Sequence, residues 1–143
     1  MPIEMPDRDD TFSVMEGQCE GYPIVATIRS RLQDYKGKGK TRWFFGFSTP
    51  LSNTTPEGLP TTKEADELNR WEDVIDQQMG LQSECVFVGR VTWKGNRELL
   101  YYVDKPESAA REIKKLINAG TIRTFSFRYE EDPDWAHVNI YSR

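Results

Sequence analysis

His137 is the residue best suited to acid–base chemistry, because it is the only histidine in the chain and imidazole titrates closest to neutral pH. One histidine cannot supply a metal site built from several imidazoles. It could serve alone as a general base, but no neighbour in the sequence marks it for that role. We therefore expect a structural or merely exposed His137. An enzyme would need a pocket around it or around the acidic turn that precedes it.

Four acidic residues crowd this turn. They are Glu130, Glu131, Asp132 and Asp134. Oxygen-rich turns attract hard cations such as calcium. The spacing is not that of a calcium loop, however, and Pro133 limits how far the backbone can wrap around an ion. We interpret the turn as a solvated surface segment, and we predict no metal and no cofactor.

No nucleophile in the sequence shows a sign of activation. Cys19 and Cys85 are 66 residues apart and form no CxxC pair, so the spacings of zinc sites and thioredoxins are absent. No G-x-S-x-G motif is present. The N-terminus lacks the apolar stretch of a secretory signal, and we expect free thiols in a reducing cytoplasm. Enzymatic activity is uncertain on these grounds, and we expect no catalytic residue.

Charge is segregated along the chain, although the net charge is only −4. Residues 29–42 hold six basic side chains and one acid, a net charge of +5. The Gly-rich part of this segment, 36–40, lacks the spacing of a Walker loop, but its charge could contact an anion or RNA. The basic residues are Arg29, Arg31, Lys36, Lys38, Lys40 and Arg42.

Two further groups of charged residues are candidate contacts. Arginines on predicted strands, Arg90 and Arg128 among them, could bind anions through their planar guanidinium groups or form cross-strand ion pairs. The first predicted helix carries six acids against two basic residues, a net charge of −4. Its outer face could therefore meet a basic partner. The acids expected to face water are Glu64, Asp66, Glu67, Asp73 and Asp76.

The 143 residues fit one domain. We predict a charged tail over 1–11 and a single α+β domain over 12–143. Strands are predicted over 12–19, 24–31, 42–49, 84–93, 97–103, 121–129 and 135–141. Residues 24–31 alternate in hydrophobicity, and 42–49 is the most aromatic stretch of the chain. From residue 42 onward the order is β-α-β-β-α-β, which is typical of a ferredoxin-like antiparallel sheet with two helices on one face. The first two strands add an N-terminal hairpin.

Both predicted helices have recognisable ends. Thr61 and Glu64 fit a capping box at the start of the first helix. Asp104 is predicted to cap the second helix, with Glu107 completing its box. Gly120 is placed to end the second helix. The apolar stripe of the first helix is Ala65, Leu68, Trp71, Ile75 and Met79.

Several short motifs follow one another along nearly the whole chain. They are Gly21-Tyr22-Pro23, Trp43-Phe44-Phe45, Leu68-Asn69-Arg70-Trp71-Glu72-Asp73, Val88-Gly89-Arg90-Val91-Thr92, Gly95-Asn96-Arg97-Glu98-Leu99-Leu100-Tyr101-Tyr102 and Asp132-Pro133-Asp134-Trp135. In this order they resemble a bacterial family catalogued as domain of unknown function six-nine-five. The resemblance implies no activity, cofactor or catalytic residue. Members of that family are similar to, and sometimes fused with, an acidic ferredoxin-like regulator of ribonuclease E activity.

We expect a non-enzymatic cytoplasmic domain that binds another macromolecule, with a protein favoured as partner. The alternative is a single-stranded RNA-binding or RNA-degradation-regulating protein, because RNA-recognition sheets stack bases on rings of two central strands. The corresponding strands, 42–49 and 97–103, carry rings that we expect to be core. These rings belong to Trp43, Phe44, Phe45, Phe47, Tyr101 and Tyr102. No apolar run reaches the roughly 20 residues of a membrane span, so no membrane partner is expected.

Overall fold

The computed structural model describes residues 12–29, 32 and 37–139. The predicted charged tail, 1–11, lies outside the described residues. The elements in chain order are β1 (Phe12–Cys19), β2 (Tyr22–Arg29), β3 (Trp43–Pro50), α1 (Thr62–Met79), β4 (Cys85–Trp93), β5 (Asn96–Val103), α2 (Pro106–Ala119), β6 (Ser126–Glu131) and α3 (Ala136–Asn139). Strands and helices are therefore mixed, as predicted.

The six strands form one sheet in the order β1-β2-β4-β5-β3-β6. Every neighbouring pair is antiparallel, which confirms the predicted antiparallel sheet. The connection through α1 skips over β5, and the connection through α2 skips over β3. The hairpin of β1 and β2 extends the sheet beyond β4, so the order of the whole sheet differs from that of a four-stranded ferredoxin-like sheet. The ferredoxin-like topology is not confirmed for the sheet as a whole.

The two long helices pack on the same face of the sheet, as predicted. Residues of α1 and α2, including Leu68, Ile75 and Ile113, share one buried cluster with Phe45 and Tyr101 of the sheet. Alternate residues of a strand point to opposite faces, so the next positions along β3 and β5 build a second buried cluster on the other side. We call the side opposite α1 and α2 the second face.

The segment near the C-terminus differs from its prediction. A strand was expected over 135–141, but the structure has the one-turn helix α3 there, and residues 140–141 lie outside the described residues. Trp135 has a φ of 55°, which reverses the chain direction, and Asp132 caps the turn that follows. The apolar residues Trp135 and Val138 then pack on the second face. Their spacing of three places both on one side of a helical turn, whereas a strand would direct them to opposite faces.

The helix ends are only partly as predicted. The Thr61 hydroxyl accepts a hydrogen bond from the Glu64 amide at 3.3 Å, and Gly120 ends α2 in the left-handed conformation. The predicted cap of α2 is wrong, because Lys105 occupies that position without a side-chain bond. Asp104 instead accepts a hydrogen bond from the Glu84 amide at 2.8 Å, because it follows the end of β5 and lies beside the residue that precedes β4.

One glycine is required by a close approach of two strands. The register of β4 against β5 shifts between Phe87 and Gly89, and Gly89 lies opposite Ile28 of β2. A Cβ at position 89 would overlap the carbonyl oxygen of Thr27. Because backbone cannot move aside as a flexible side chain can, β2 pairs with β4 at this point only if residue 89 is glycine.

Candidate functional site

The outer edge of β1 stands at one end of the sheet. β1 pairs with β2 from Phe12 opposite Arg29 to Cys19 opposite Tyr22, and no other described strand adjoins it. In an antiparallel pair, alternate residues direct their N–H and C=O groups away from the neighbouring strand. The edge of β1 therefore presents a row of backbone donors and acceptors to its surroundings.

The side chains of β1 give this edge little protection. Glu16 is the only charged residue in its eight positions, and the strand contains neither lysine nor proline. Val14 is 60% exposed, although it is apolar. Phe12 and Met15 pack against the core clusters on the two faces of the sheet. The edge is thus anchored in the core and apolar at its centre.

The opposite edge of the sheet, β6, is built differently. Three of its six residues are charged. Arg128 and Glu130 contact each other at 3.4 Å, and Glu131 pairs with Arg42 at 3.1 Å. Charged side chains on an edge strand discourage the addition of another strand, so the two edges of this sheet are unequal.

A cluster of aromatic and charged side chains lies near β6 on the second face, and we call it the His137 cluster. Its members are Phe44, Tyr102, Arg128, Glu130, Asp132, Trp135 and His137. The Asp132 carboxylate is its polar centre: it accepts hydrogen bonds from the Tyr102 hydroxyl at 2.6 Å, the Ala136 amide at 3.0 Å and the His137 amide at 3.1 Å. Asp132 thereby joins α3 to β5.

The titration of this centre follows from its hydrogen bonds. Burial, and then the hydrogen bond to Asp132, raise the pKa of Tyr102 far above its ordinary value, so the phenol stays protonated and donates. Burial alone raises the pKa of Asp132, but the bonds from Tyr102, Ala136 and His137 outweigh burial and lower it. The carboxylate is therefore charged and engaged at neutral pH.

The ring of His137 is held by two contacts. It stacks on Phe44, and its Nε2 contacts Oε1 of Glu130. Beside this pair, Trp135 stacks on Tyr102 with ring centroids 4.2 Å apart. The structure thus brings His137 and the acidic turn together. The contacts made by Asp132 and the rings fasten α3 to the sheet.

The basic segment is not gathered into one free patch within the described residues. Arg29 is 3% exposed and donates to the Phe87 carbonyl at 3.1 Å. Lys40 pairs with Glu84 at 2.7 Å, and Arg42 pairs with Glu131. Lys38 lies over the ring of Trp135, with Nζ 5.5 Å from its centroid. Arg31 and Lys36 lie outside the described residues.

The acids of α1 divide between its two sides. Asp66 and Asp73 are exposed and Asp76 is half-buried, and Asp76 accepts a hydrogen bond from the Tyr101 hydroxyl at 2.9 Å. The expectation that Glu64 faces water is wrong, because Glu64 is completely buried. The exposed or half-buried charges of α1 are Lys63, Asp66, Glu67, Arg70, Asp73 and Asp76. Their net charge is −2, so the outer side of α1 is less acidic than the net charge of the whole helix suggests.

The buried Glu64 forms an ion pair with Arg123, at 3.2 Å to Nη1 and 3.1 Å to Nη2. The Glu64 carboxylate also accepts hydrogen bonds from the amides of Ser52 and Asn53. Arg123 donates onward to the Thr49 hydroxyl at 3.0 Å. The pair therefore joins the start of α1 to the segments that follow β3 and α2.

Strand arginines form ion pairs and ring contacts in the structure. Arg90 binds Glu72 through two bonds of 2.8 and 2.7 Å. Arg97 donates to the Thr92 hydroxyl at 2.7 Å, and burial together with the nearby charge of Arg90 lowers its pKa to about 10. Arg128 is more exposed, and its guanidinium carbon is 5.2 Å from the centroid of the Phe44 ring.

The pairing of Glu64 with Arg123 was missed by the sequence analysis, which assigned Glu64 to a capping box and to the water-facing side of the helix. A signal was present, since Glu64 precedes Leu68 by four residues and so lies on the apolar stripe of α1. The basic partner carries no comparable signal, because Arg123 is 59 residues away in sequence.

The aromatic strands are core, as predicted. The five rings of Phe44, Phe45, Phe47, Tyr101 and Tyr102 are at most 1% exposed, and Trp43 is half-buried against the helix-side cluster. Base stacking of the kind used by RNA-recognition sheets needs exposed rings on the central strands. These two strands offer no such platform in the described part of the chain.

The structure also bears on the cysteines, on membrane crossing and on metal binding. Cys19 is exposed at the end of β1, and the partly buried Cys85 begins β4; neither is in a disulfide. None of the described helices is both long and apolar enough to cross a membrane. Across residues 12–29, 32 and 37–139, no three metal-ligating side chains come together.

Comparison with known proteins gives one match. Searches of curated proteins and of solved structures find none. The model of a family of unknown function, DUF695, matches residues 10–141, which include every strand and helix described above. The chain therefore belongs to the DUF695 family.

Proposed function

We propose that this chain is a non-enzymatic cytoplasmic module that binds a partner protein by accepting an extended segment of it at the outer edge of β1. Among the described residues, no strand pairs with the outer edge of β1, and the exposed Val14 lies on that strand; this is the observation that carries the proposal. Strand addition of this kind takes its affinity from backbone hydrogen bonds and its specificity from alternate side chains.

The difference between the two sheet edges supports a binding role for β1. Natural proteins protect an edge strand with lysine, proline, charges or a covering segment. β6 carries three charges among six residues, whereas β1 carries one among eight. Within the described residues β1 has no such protection, and a long unprotected edge invites aggregation unless a strand occupies it, which favours its use as a binding site.

The position of β1 in the fold also supports the proposal. We propose that β3 to β6, with α1 and α2, form a ferredoxin-like unit and that the hairpin of β1 and β2 is an addition to it. The added hairpin extends the sheet beyond β4, so that β1 rather than β4 is the edge strand at that end of the sheet. The binding edge would then belong to the element that distinguishes this fold from the simpler unit.

The use of charged side chains within the fold favours binding over catalysis. Arg123 holds Glu64, Arg90 holds Glu72, and Asp132 holds Tyr102. Each of these groups joins two elements of the fold, which is a structural task. The side chains with the strongest acid–base chemistry are therefore already engaged by their neighbours.

The chemistry of the accepted segment follows from β1. Its residue opposite Val14 should be apolar, because directly opposed side chains on one face interact. Its residue opposite Glu16 should be basic or polar, since two carboxylates at that position would repel each other. We therefore expect an extended segment in which an apolar and a basic residue share one face.

The test is capture of partner proteins from lysate by the wild-type chain and by two variants with the same change in charge. Val14→Lys places a charge on the β1 edge, and Ser126→Lys places one at an exposed position of β6. We expect the same proteins with wild type and Ser126→Lys, and their loss with Val14→Lys. Equal capture by both variants would contradict the proposal.

Treating the lysate with nuclease distinguishes a protein partner from the alternative partner, RNA. Protein capture through β1 should be unchanged when the lysate is treated with nuclease. If nuclease removes the captured proteins, RNA bridges them and the chain is an RNA binder. RNA binding should also weaken steeply as salt is raised, whereas strand addition rests on uncharged backbone bonds.

A further inference from the structure

We infer that a cleft beside α1 binds a small amino acid with an apolar side chain, whose carboxylate is held by Arg70 and whose ammonium group is held by Glu67. The cleft has a volume of about 260 Å³ and lies between α1, the segment after β3 and the segment after α2. None of the residues that line it belongs to β1. The inference therefore goes beyond the proposed function and does not depend on it.

The first wall of the cleft is one face of α1. Its four residues have the spacing i, i+3, i+4 and i+7, which brings their side chains together on a helix. They are Glu67, Arg70, Trp71 and Val74. Arg70 is exposed and Glu67 is half-buried, while Trp71 and Val74 supply apolar surface. This wall thus combines a cation, an anion and an apolar floor.

The second wall is held in place by the buried ion pair described above. Ile122 and Arg123 follow α2 and line the cleft, and Arg123 binds Glu64 of α1 at 3.1 Å. Ser52 follows β3 and also lines the cleft, and its amide donates to the same Glu64 carboxylate. Glu64 therefore fixes all three segments of the cleft relative to one another, so the cleft is formed before any ligand enters.

An indole N–H in the first wall lacks an acceptor. Trp71 is 3% exposed, and its Nε1 has no hydrogen-bond partner among the described residues. The indole nitrogens of Trp93 and Trp135, in contrast, donate to the carbonyls of Cys19 and Thr41. Because buried N–H groups are nearly always paired, the lone donor indicates that a group from outside the chain supplies its acceptor. A carboxylate oxygen seated against Trp71 would be such an acceptor.

The charges of the cleft define the class of ligand. In the described part of the chain, neither Glu67 nor Arg70 forms an ion pair, although they are one turn of α1 apart. A guanidinium group such as that of Arg70 matches a carboxylate through two parallel hydrogen bonds. Glu67 would repel a plain carboxylate and attract an ammonium group, so a zwitterion satisfies both residues. The apolar surface of Trp71, Val74 and Ile122 then receives the apolar side chain of the ligand.

The size and exposure of the cleft limit the ligand and its affinity. Sites for drug-sized ligands have volumes of roughly 300–1,000 Å³, and this cleft, at about 260 Å³, is smaller. A single amino acid is therefore favoured over a peptide or a nucleotide. Arg70 remains in contact with water, which weakens its ion pairs, so we expect a dissociation constant on the order of 1 mM.

NMR of the full chain titrated with L-leucine up to about 10 mM tests the inference, because that concentration exceeds the expected dissociation constant. The indole N–H resonance of Trp71 should shift and saturate. The indole resonances of Trp93 and Trp135 should stay in place, since backbone carbonyls already accept these groups. A Trp71 resonance that does not move would overturn the inference.

Two variants with the same change in charge locate the carboxylate partner. Arg70→Gln removes an exposed cation from the cleft, and Lys63→Gln removes an exposed cation of α1 that does not line it. Arg70→Gln should weaken leucine binding by about tenfold or more, because hydrogen bonds to a charged group are lost, whereas Lys63→Gln should bind as wild type does. Circular dichroism confirms that both variants are folded. Equal affinities of the two variants would overturn the role of Arg70.

Two analogues of leucine test the class of ligand. Isocaproate keeps the carboxylate and the apolar chain but lacks the ammonium group, and isopentylamine keeps the ammonium group but lacks the carboxylate. Both should bind about tenfold more weakly than leucine or worse, and isocaproate binding as tightly as leucine would overturn the amino-acid class. Val14→Lys should bind leucine as wild type does, so failure of the cleft and failure of the β1 edge are distinguishable.

Discussion

The imidazole of His137 lies flat on the ring of Phe44, with ring centroids 4.1 Å apart and an angle of 17° between their planes. Arg128 contacts the same ring, and Glu130 holds Nε2 of the imidazole. Phe44 is therefore the aromatic centre at which β3, β6 and α3 meet. A change that displaces its ring should loosen α3 from the second face.

Gly46→Ala should displace the Phe44 ring. A Cβ at position 46 would lie 2.8 and 2.9 Å from two carbons of that ring, which is too close for ordinary contact. We expect a loss of about 1–3 kcal/mol in the free energy of unfolding, as for other overpacked cores, measured by urea unfolding. The His137 resonances in NMR spectra should shift at the same time. Gly39→Ala is the control, since nothing lies within 4 Å of a Cβ there; equal unfolding midpoints for both variants would contradict this prediction.

Asp132→Ala should destabilise the chain by leaving the buried Tyr102 hydroxyl and the first amides of α3 without an acceptor. Each buried donor that loses its acceptor costs about 1–3 kcal/mol. The double variant with Tyr102→Phe should recover part of the loss, because it removes the orphaned hydroxyl. Urea unfolding of the two single variants and the double variant measures this coupling. Strictly additive losses would show that the two residues do not interact.

The stability of the chain should fall at acidic pH through Glu64. Burial alone raises the pKa of Glu64, but hydrogen bonds from Arg123, Ser52 and Asn53 outweigh burial and hold it below the ordinary value of 4.5. The unfolded chain therefore binds this proton first as the pH falls. The contribution of Glu64 is present above about pH 4.5 and is lost as the pH falls through the folded-state pKa.

Glu64→Gln tests this linkage. At neutral pH it should lower the free energy of unfolding by about 3–5 kcal/mol, the usual cost of removing one partner from a buried ion pair. Its stability should then decline less steeply than that of the wild type below pH 4.5. Arg123→Gln should show a similarly shallow decline, because Glu64 loses the same partner. Urea unfolding at a series of pH values measures both slopes, and an unchanged slope in both variants would rule out the pair as the source.

Reversing the outward acids of α1 should leave partner capture intact. Asp66 and Asp73 are the exposed acids of this helix, and the basic Lys63 and Arg70 are exposed on the same helix. A variant with Asp66→Lys and Asp73→Lys should capture the same proteins as wild type, with at most a changed association rate. Asp76 is left unaltered because it accepts a bond from Tyr101. Loss of capture at low salt would show that the partner docks on α1 rather than on β1.

The elements of this fold follow from local patterns in the sequence. The alternation of β2, the stripe from Leu68 to Ile75 in α1, and Gly120 at the end of α2 each involve neighbouring residues, so their physical chemistry is present in the chain before it folds. The predictions of local structure were wrong where one sequence pattern is compatible with two structures. Asp104 could cap a helix or bond an adjacent strand, and the short run over 135–141 has too few residues for its periodicity to distinguish a strand from a helical turn.

The sequence by itself determined the order of the elements from β1 to β6 and the family. Only the tertiary structure decided that β1 stands at an edge, that Glu64 meets Arg123 across 59 residues, and that His137 rests on Phe44. Hydrophobic periodicity states which side of a strand is buried, but it does not state which strand lies beside it. The neighbours of an element are chosen by the joint packing of all the others, and the use of an edge or a charge depends on those neighbours.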